Sequence, residues 1–278
     1  MITVTPVLAL IIFVAGAIAG SLGALLGLGG GIFLVPFLNL GLSFPITVAA
    51  AISLTTVIAT SSSVSAGRAG KQLINMRLGM LLEVATAAGS LLGGVTAQLL
   101  AQTTLQKLFG VTSAIVAVIM LSRLQRRNVI LDPSVDPGIL GGRFHEDESG
   151  GTVTYRVKRL PVALVASFIA GNVSSLLGIG GGFIKVPVLN AWCGVPMRAA
   201  AATSAFMIGV TATAGAVIYY GRGQLVPALA AAGVLGVQLG SWAGLRFGQR
   251  ASAKWLKLMM AIVLFVIAVM MLVRGSRS

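Results

Sequence analysis

Long apolar runs, separated by short polar segments, cover most of the chain. Eight runs of about 18 residues or more predict helices that cross a membrane, and they occupy residues 6–28, 46–66, 78–100, 104–122, 160–178, 199–220, 225–245 and 255–273. Two shorter apolar runs, 32–42 and 183–193, each follow a cluster of glycines. The pattern predicts an all-α integral membrane protein with about eight to ten membrane segments.

The composition agrees with a membrane protein. Of the 278 residues, 56% are hydrophobic and only 9% are charged, whereas soluble domains carry charge on roughly a quarter of their residues. A formal charge of +14 could indicate a nucleic-acid partner, but the basic residues lie at the ends of the apolar runs, as the positive-inside rule describes. A lipid bilayer is therefore the expected partner, and nucleic acid is not.

The single cysteine and the single histidine limit the chemistry of the chain. Cys193 alone cannot form an internal disulfide, and His145 lies in a polar loop, so a histidine-based metal site is not expected. The acidic residues cluster in the same loop, where a solubilising role is preferred to metal binding. We therefore expect neither a metal nor a cofactor.

The sequence repeats itself at an offset of 151 residues. Without a gap, this offset superimposes Gly20 on Gly171, the glycine cluster 27–31 on 178–182, Pro36 on Pro187, Asn39 on Asn190, and Ser53 on Ser204. The duplication predicts a first membrane repeat at residues 1–123 and a second at 160–278. The polar segment 124–159 between them holds five of the six acidic residues, and its glycines predict a flexible cytoplasmic connector.

Basic residues set the expected orientation, with the connector and the loop around Arg68, Lys71 and Arg77 in the cytoplasm. If each short apolar run crosses the membrane, each half of the chain has five crossings and the two halves are inverted. If each short run instead enters the membrane and returns to the same side, each half has four crossings and the two halves are parallel. Inversion brings five further basic residues to the cytoplasmic side, namely Arg198, Arg246, Arg250, Lys254 and Lys257. The alternative brings three, so inversion is preferred.

The two glycine clusters predict breaks in the helices. Each has four glycines in five residues, and each glycine weakens a helix by roughly 1 kcal/mol relative to alanine. Irregular backbone at membrane depth is tolerated where it is buried in protein or lines a wet cavity, and a short helix that restarts there directs its positive end at the cavity. A small anion is the expected ligand, bound by Gly29, Gly30, Gly31, Gly180, Gly181 and Gly182.

Small polar side chains complete the expected site. The hydroxyls of Ser53, Thr56, Thr203 and Ser204 could hydrogen-bond an oxyanion without burying another charge, or they could bond back to their own helix. Asn39 and Asn190 are expected to brace the short helices or, as the alternative, to contact the ligand. Glycines spaced by four residues elsewhere, such as Gly89 with Gly93, are expected to serve close helix packing.

Two charged residues fall inside apolar runs. Glu83 is an ionisable group within a predicted membrane helix, which makes it a candidate for proton coupling; the alternative is an interfacial position paired with a basic residue. Lys185 stands where the first half has Leu34. It supplies a cation to the anion, or else its side chain extends to the membrane interface.

The chain resembles the sulfite exporter TauE/SafE family of bacterial membrane permeases in four features. These are the glycine clusters, the proline and asparagine after each of them, the alanine-rich stretch with serine and threonine that follows, and the duplication. The resemblance implies a multi-pass carrier of the bacterial cytoplasmic (inner) membrane for sulfite or a related sulfur-containing anion or organosulfonate, driven by protons. We expect a secondary transporter with alternating access, and no enzyme. The alternatives are a passive anion channel and a membrane enzyme, and the oligomeric state is left open.

Overall fold

The computed structural model describes residues 4–26, 29–68, 73–122, 136–146, 151–247 and 253–277, which form ten α-helices and one β-hairpin. The first five helices are α1 (Pro6–Leu26), α2 (Gly31–Pro36), α3 (Ile46–Arg68), α4 (Met76–Leu99) and α5 (Gln102–Ser122). The hairpin consists of β1 (Gly142–Glu146) and β2 (Gly151–Tyr155). The last five helices are α6 (Leu160–Leu177), α7 (Gly182–Ala191), α8 (Met197–Gly221), α9 (Pro227–Phe247) and α10 (Ala253–Arg277).

The helices confirm the predicted all-α integral membrane fold. Six of them, α1, α3, α4, α6, α8 and α9, are long and apolar enough to cross a membrane. Large apolar side chains such as Val84 and Leu99 point outwards, with 75% and 80% of their surface exposed. Apolar surface of this kind requires lipid instead of water around the bundle.

Glycine faces bring the long helices together across the two predicted halves. α1 packs along α9, and α4 packs along α6. Gly89 on α4 lies against the backbone of Phe168, and Gly240 on α9 lies against the backbone of Ala17. Since residues without a side chain let two helix backbones approach closely, these glycines have the packing role expected for them.

Two helices at equivalent positions of the two predicted repeats, α5 and α10, run in opposite directions. In the pair formed by α5 and α10, Gly110 lies against Leu272, whereas Gly275 lies against Lys107. The two helices are therefore antiparallel, as inverted repeats require. The duplication and its inversion stay predictions.

The β-hairpin lies inside the segment that the sequence predicts to be a flexible connector. Its strands pair antiparallel, from Gly142 opposite Tyr155 to Glu146 opposite Gly151. Phe144, Val153 and Tyr155 are buried in an apolar cluster with residues of α4, α7 and α8. This docked element was not predicted from the sequence. Some residues of these predictions lie outside the described residues, namely Lys71, Arg123, Arg250 and the connector residues 124–135 and 147–150, with most of the acidic cluster.

Asn75 joins the hairpin to the start of α4. Its side-chain oxygen accepts a hydrogen bond from the Leu78 amide at 3.0 Å and caps the helix, while its Nδ2 donates to the Leu140 carbonyl at 2.8 Å and the Tyr155 hydroxyl at 3.1 Å. Its backbone amide donates to Thr203 Oγ1 at 2.9 Å. One side chain therefore holds a helix start and the connector together.

Asn75→Ala is expected to loosen the connector. The substitution removes a helix cap, worth about 1 kcal/mol, and two hydrogen bonds to the hairpin region, each worth on the order of 1 kcal/mol. Limited proteolysis of the purified protein should show faster cleavage between residues 136 and 159. Gln98→Ala, which removes a paired amide at the other end of α4, is the control, and equal cleavage of the two variants would contradict the expectation.

Candidate functional site

The membrane helices break at both glycine clusters, as the sequence predicts. α1 ends at Leu26 before α2 begins at Gly31, and α6 ends at Leu177 before α7 begins at Gly182. Gly29 and Gly180 have φ angles of +80° and +72°, in the left-handed region that only glycine adopts without strain. The chain thus turns sharply inside the bundle at two places.

A short helix restarts after each break. α2 continues through Pro36 into a π-helical turn, Phe37–Gly41, and α7 runs through Pro187 to Ala191. Gly30 and Gly181 occupy the N-cap positions, and neither helix start has a side-chain cap. The first N–H groups of a helix have no partner within it, so both starts direct donors and the positive end of a dipole into the protein interior.

The two breaks lie side by side and meet at Ser53. The Ser53 hydroxyl, on α3, donates a hydrogen bond of 2.6 Å to the carbonyl of Gly178. A Cβ atom placed on Gly31 would lie 2.6 Å from both the Gly178 carbonyl oxygen and Ser53 Oγ. The first and second glycine clusters are therefore in direct contact, with Ser53 bonded to the backbone of the other half.

A water-sized cavity adjoins the first break. Its lining includes Gly29 together with Gly23, Thr60, Ser61, Val64, Ala205 and Ile208, from α1, α3 and α8. A space of this size holds about one water molecule. The glycine break therefore borders free space, as irregular backbone at membrane depth is expected to do.

The two predicted asparagines brace the ends of the short helices. Asn39 Nδ2 donates to the Phe44 carbonyl at 2.7 Å, and its Oδ1 accepts from Gln106 Nε2 at 3.0 Å. Asn190 Nδ2 donates to the Val195 carbonyl at 2.9 Å. Both asparagines thus hold the turn that follows a short helix, which is the role preferred for them over ligand contact.

The other three predicted hydroxyl residues, Thr56, Thr203 and Ser204, differ in their hydrogen-bond partners. The Thr56 hydroxyl donates to the Ser53 carbonyl in its own helix at 2.7 Å, and the Thr203 hydroxyl accepts from the Asn75 amide. The Ser204 hydroxyl is fully buried and has no hydrogen-bond partner among the described residues. Of these three, Ser204 therefore keeps an unused donor inside the bundle.

Glu83 and Lys185 meet in the interior of the bundle. Lys185 Nζ lies 4.0 Å from Glu83 Oε2, with the lysine side chain fully buried and the glutamate side chain 11% exposed. The Thr211 hydroxyl, on α8, donates to Glu83 Oε1 at 2.7 Å and accepts from Lys185 Nζ at 3.4 Å. The Lys185 side chain therefore ends inside the bundle instead of extending to its surface, and Glu83 is paired with a basic residue.

Thr211 is the polar residue of this cluster that was not predicted to belong to the site. It aligns with Thr60 at the same offset of 151 residues, and Thr60 lines the small cavity beside the first break. That correspondence was the available signal. The correspondence becomes informative only when Thr60 is seen to line the cavity and Thr211 to contact Glu83 and Lys185.

The chain matches known proteins over nearly its whole length. Residues 12–271 match the family described as sulfite exporter TauE/SafE. It is 27% identical to the probable membrane transporter protein YunE of Bacillus subtilis, over 96% of this chain and 98% of that protein. It is 25% identical to the probable membrane transporter protein MJ0441 of Methanocaldococcus jannaschii, over 94% of each chain. No solved structure matches the chain.

Proposed function

Because the chain belongs to the sulfite exporter TauE/SafE family and is a multi-pass membrane protein, we propose that it is a secondary transporter for a small anion. The substrate is sulfite or a related sulfur-containing anion or organosulfonate. Protons drive the transport, and the anion site opens alternately to the two sides of the bacterial cytoplasmic membrane. The family and the probable transporters it resembles support the membrane transport, and the substrate and the coupling are our proposal.

The meeting of the two helix breaks is the observation that carries this proposal. Gly31 lies against Gly178 and Ser53, and both short helices begin beside them without a side-chain cap. An oxyanion placed there would accept hydrogen bonds from backbone N–H groups and would be favoured by two helix dipoles. No carboxylate belongs to either glycine cluster, so the breaks themselves offer donors without a competing negative charge.

The contacts of Ser53 and Gly31 support a specific movement between the two states in which the proposed site opens to either side of the membrane. In the structure the Gly178 carbonyl holds the Ser53 hydroxyl, and Gly31 is packed closely against both. We infer that the anion binds when the two breaks separate and the Ser53 hydroxyl becomes free. Lys185 supplies the positive charge for the bound anion, and Glu83 is the group through which protons are coupled.

Uptake by proteoliposomes that contain the purified protein tests the proposed function. With an alkaline interior, radiolabelled sulfite should accumulate above its outside concentration, and a protonophore should abolish the accumulation. Liposomes without protein are the control. Equilibration without accumulation would identify a passive channel, and no uptake of sulfite or small sulfonates would contradict the proposal.

A further inference from the structure

The Glu83–Lys185 pair is unusual because its two charges are buried without full hydrogen bonding. Among the described residues, Glu83 Oε2 has no hydrogen-bond partner, and Thr211 is the hydrogen-bond partner that the two charges share. A carboxylate can accept about four hydrogen bonds and an ammonium group donates three. Since burial of such a pair seldom stabilises a fold, a role in function explains it better.

Lys185 lies over the second glycine break. A Cβ atom on Gly181 would be 3.2 Å from Lys185 Cε, so the lysine side chain crosses the start of α7. At the offset of 151 residues, Lys185 corresponds to Leu34 and Glu83 corresponds to Val234. The first break therefore has no equivalent of this pair.

We propose that the transported anion is singly charged and replaces the Glu83 carboxylate as the partner of Lys185. This inference rests on the proposed transport function. Glu83 takes up one proton in each exchange. The proton comes from the solution on the side where the anion enters, and it leaves Glu83 when the anion is released. One proton bound to Glu83 therefore crosses the membrane with each monoanion, in addition to the proton that the singly charged form of sulfite, hydrogensulfite, itself carries.

Charge balance in the apolar interior favours this exchange. The empty site holds one positive and one negative charge. A monoanion beside an ionised Glu83 would leave a net negative charge and would bring two like charges together where the dielectric constant is low. Protonation of Glu83 restores a neutral site. A dianion would leave one uncompensated charge, which is why the site should select monoanions.

Within the described part of the chain, Glu83 is the acidic group that faces Lys185. The other charged or titratable side chains on the elements packed around the pair are Arg77, Lys107, Arg143, His145, Tyr155, Cys193, Arg198, Tyr219 and Tyr220. All are exposed at the surface except Cys193, Tyr155 and Tyr219. The Cys193 thiol is buried under the hairpin, and the two phenol oxygens bond to Asn75 Nδ2 and to the Ser175 carbonyl. Because protonation of Glu83 accompanies binding, anion affinity should rise as the pH falls.

Glu83→Gln separates the exchange from transport in general. The glutamine resembles the protonated glutamate, so accumulation of sulfite driven by a pH gradient should fall at least tenfold more than anion-for-anion exchange of sulfite does. Lys185→Gln should lose both activities. Arg77→Gln, which removes an exposed charge from the same helix, should keep both.

Two wild-type measurements keep the proposal testable if a variant does not fold. Purified protein in weak buffer should take up about one proton per bound methanesulfonate, and methanesulfonate should compete with sulfite uptake more strongly than sulfate does. A pH-sensitive dye in the buffer would detect the proton uptake when methanesulfonate is added to the protein. Anion binding without proton uptake, or stronger competition by sulfate, would overturn the exchange.

The outcomes distinguish this inference from the transport function. If the wild type accumulates sulfite and folded Glu83→Gln still accumulates it in response to a pH gradient, the exchange is wrong and the transport function stands. If the wild type moves no anion at all, the proposed function itself is wrong.

Discussion

Gly31→Ala is expected to reduce sulfite uptake about 100-fold, because excess volume in a packed interior typically costs about 1–3 kcal/mol. The added methyl group would lie 2.6 Å from both the Gly178 carbonyl oxygen and Ser53 Oγ. At that contact the two helix breaks would have to move apart permanently. Initial uptake rates in proteoliposomes, divided by the amount of folded protein from size-exclusion chromatography, would measure the loss.

Controls for Gly31→Ala separate a local effect from general damage. Gly221→Ala adds the same methyl group where nothing lies within 4 Å, and it should transport like the wild type. Gly181→Val should also abolish transport, because its Cβ would lie 3.0 Å from the Ala170 carbonyl oxygen. Normal uptake by folded Gly31→Ala and Gly181→Val would contradict the role of the breaks.

Gly240→Val should damage the fold itself. A Cβ on Gly240 would overlap the carbonyl oxygen of Ala17 and lie 2.6 Å from its carbonyl carbon. Backbone atoms cannot turn aside as a flexible side chain can, so α1 and α9 would have to separate. We expect a loss of about 3 kcal/mol and a fall in melting temperature on the order of 10 °C, measured by thermal unfolding of the purified protein in detergent.

Ala231→Val is the matched control for this prediction. It enlarges a residue on the exposed face of the same helix, α9, where lipid can adapt to the added volume. Its melting temperature should remain close to that of the wild type. Equal melting temperatures for Gly240→Val and Ala231→Val would show that close packing of α1 on α9 is unimportant.

The long helices and the two breaks could be predicted because each depends on local properties of the chain. Apolar runs placed eight helices within a few residues of their observed ends, and dense glycine placed the interruptions before α2 and α7. The asparagine roles followed from their position at the ends of the short helices. In each case the residues that decide the structure are close together in the sequence.

Contacts between distant residues could not be predicted in the same way. Ser53 was expected to bind a ligand or its own helix, and its observed partner is the Gly178 carbonyl in the other half. Glu83 has Arg77 six residues before it, yet it pairs with Lys185 on a different helix. The hairpin was missed because the burial of Phe144 and Tyr155 depends on α4, α7 and α8, which a short run of polar and apolar residues does not reveal.

The pairing of α1 with α9 and of α4 with α6 has a consequence for biogenesis. When the ribosome has completed the first half, α1 and α4 have been inserted while the helices that cover their glycine faces have not yet been synthesised. The nascent chain must therefore wait in the bilayer as an unassembled intermediate. Separately expressed halves should accordingly be degraded when produced alone and should persist when produced together.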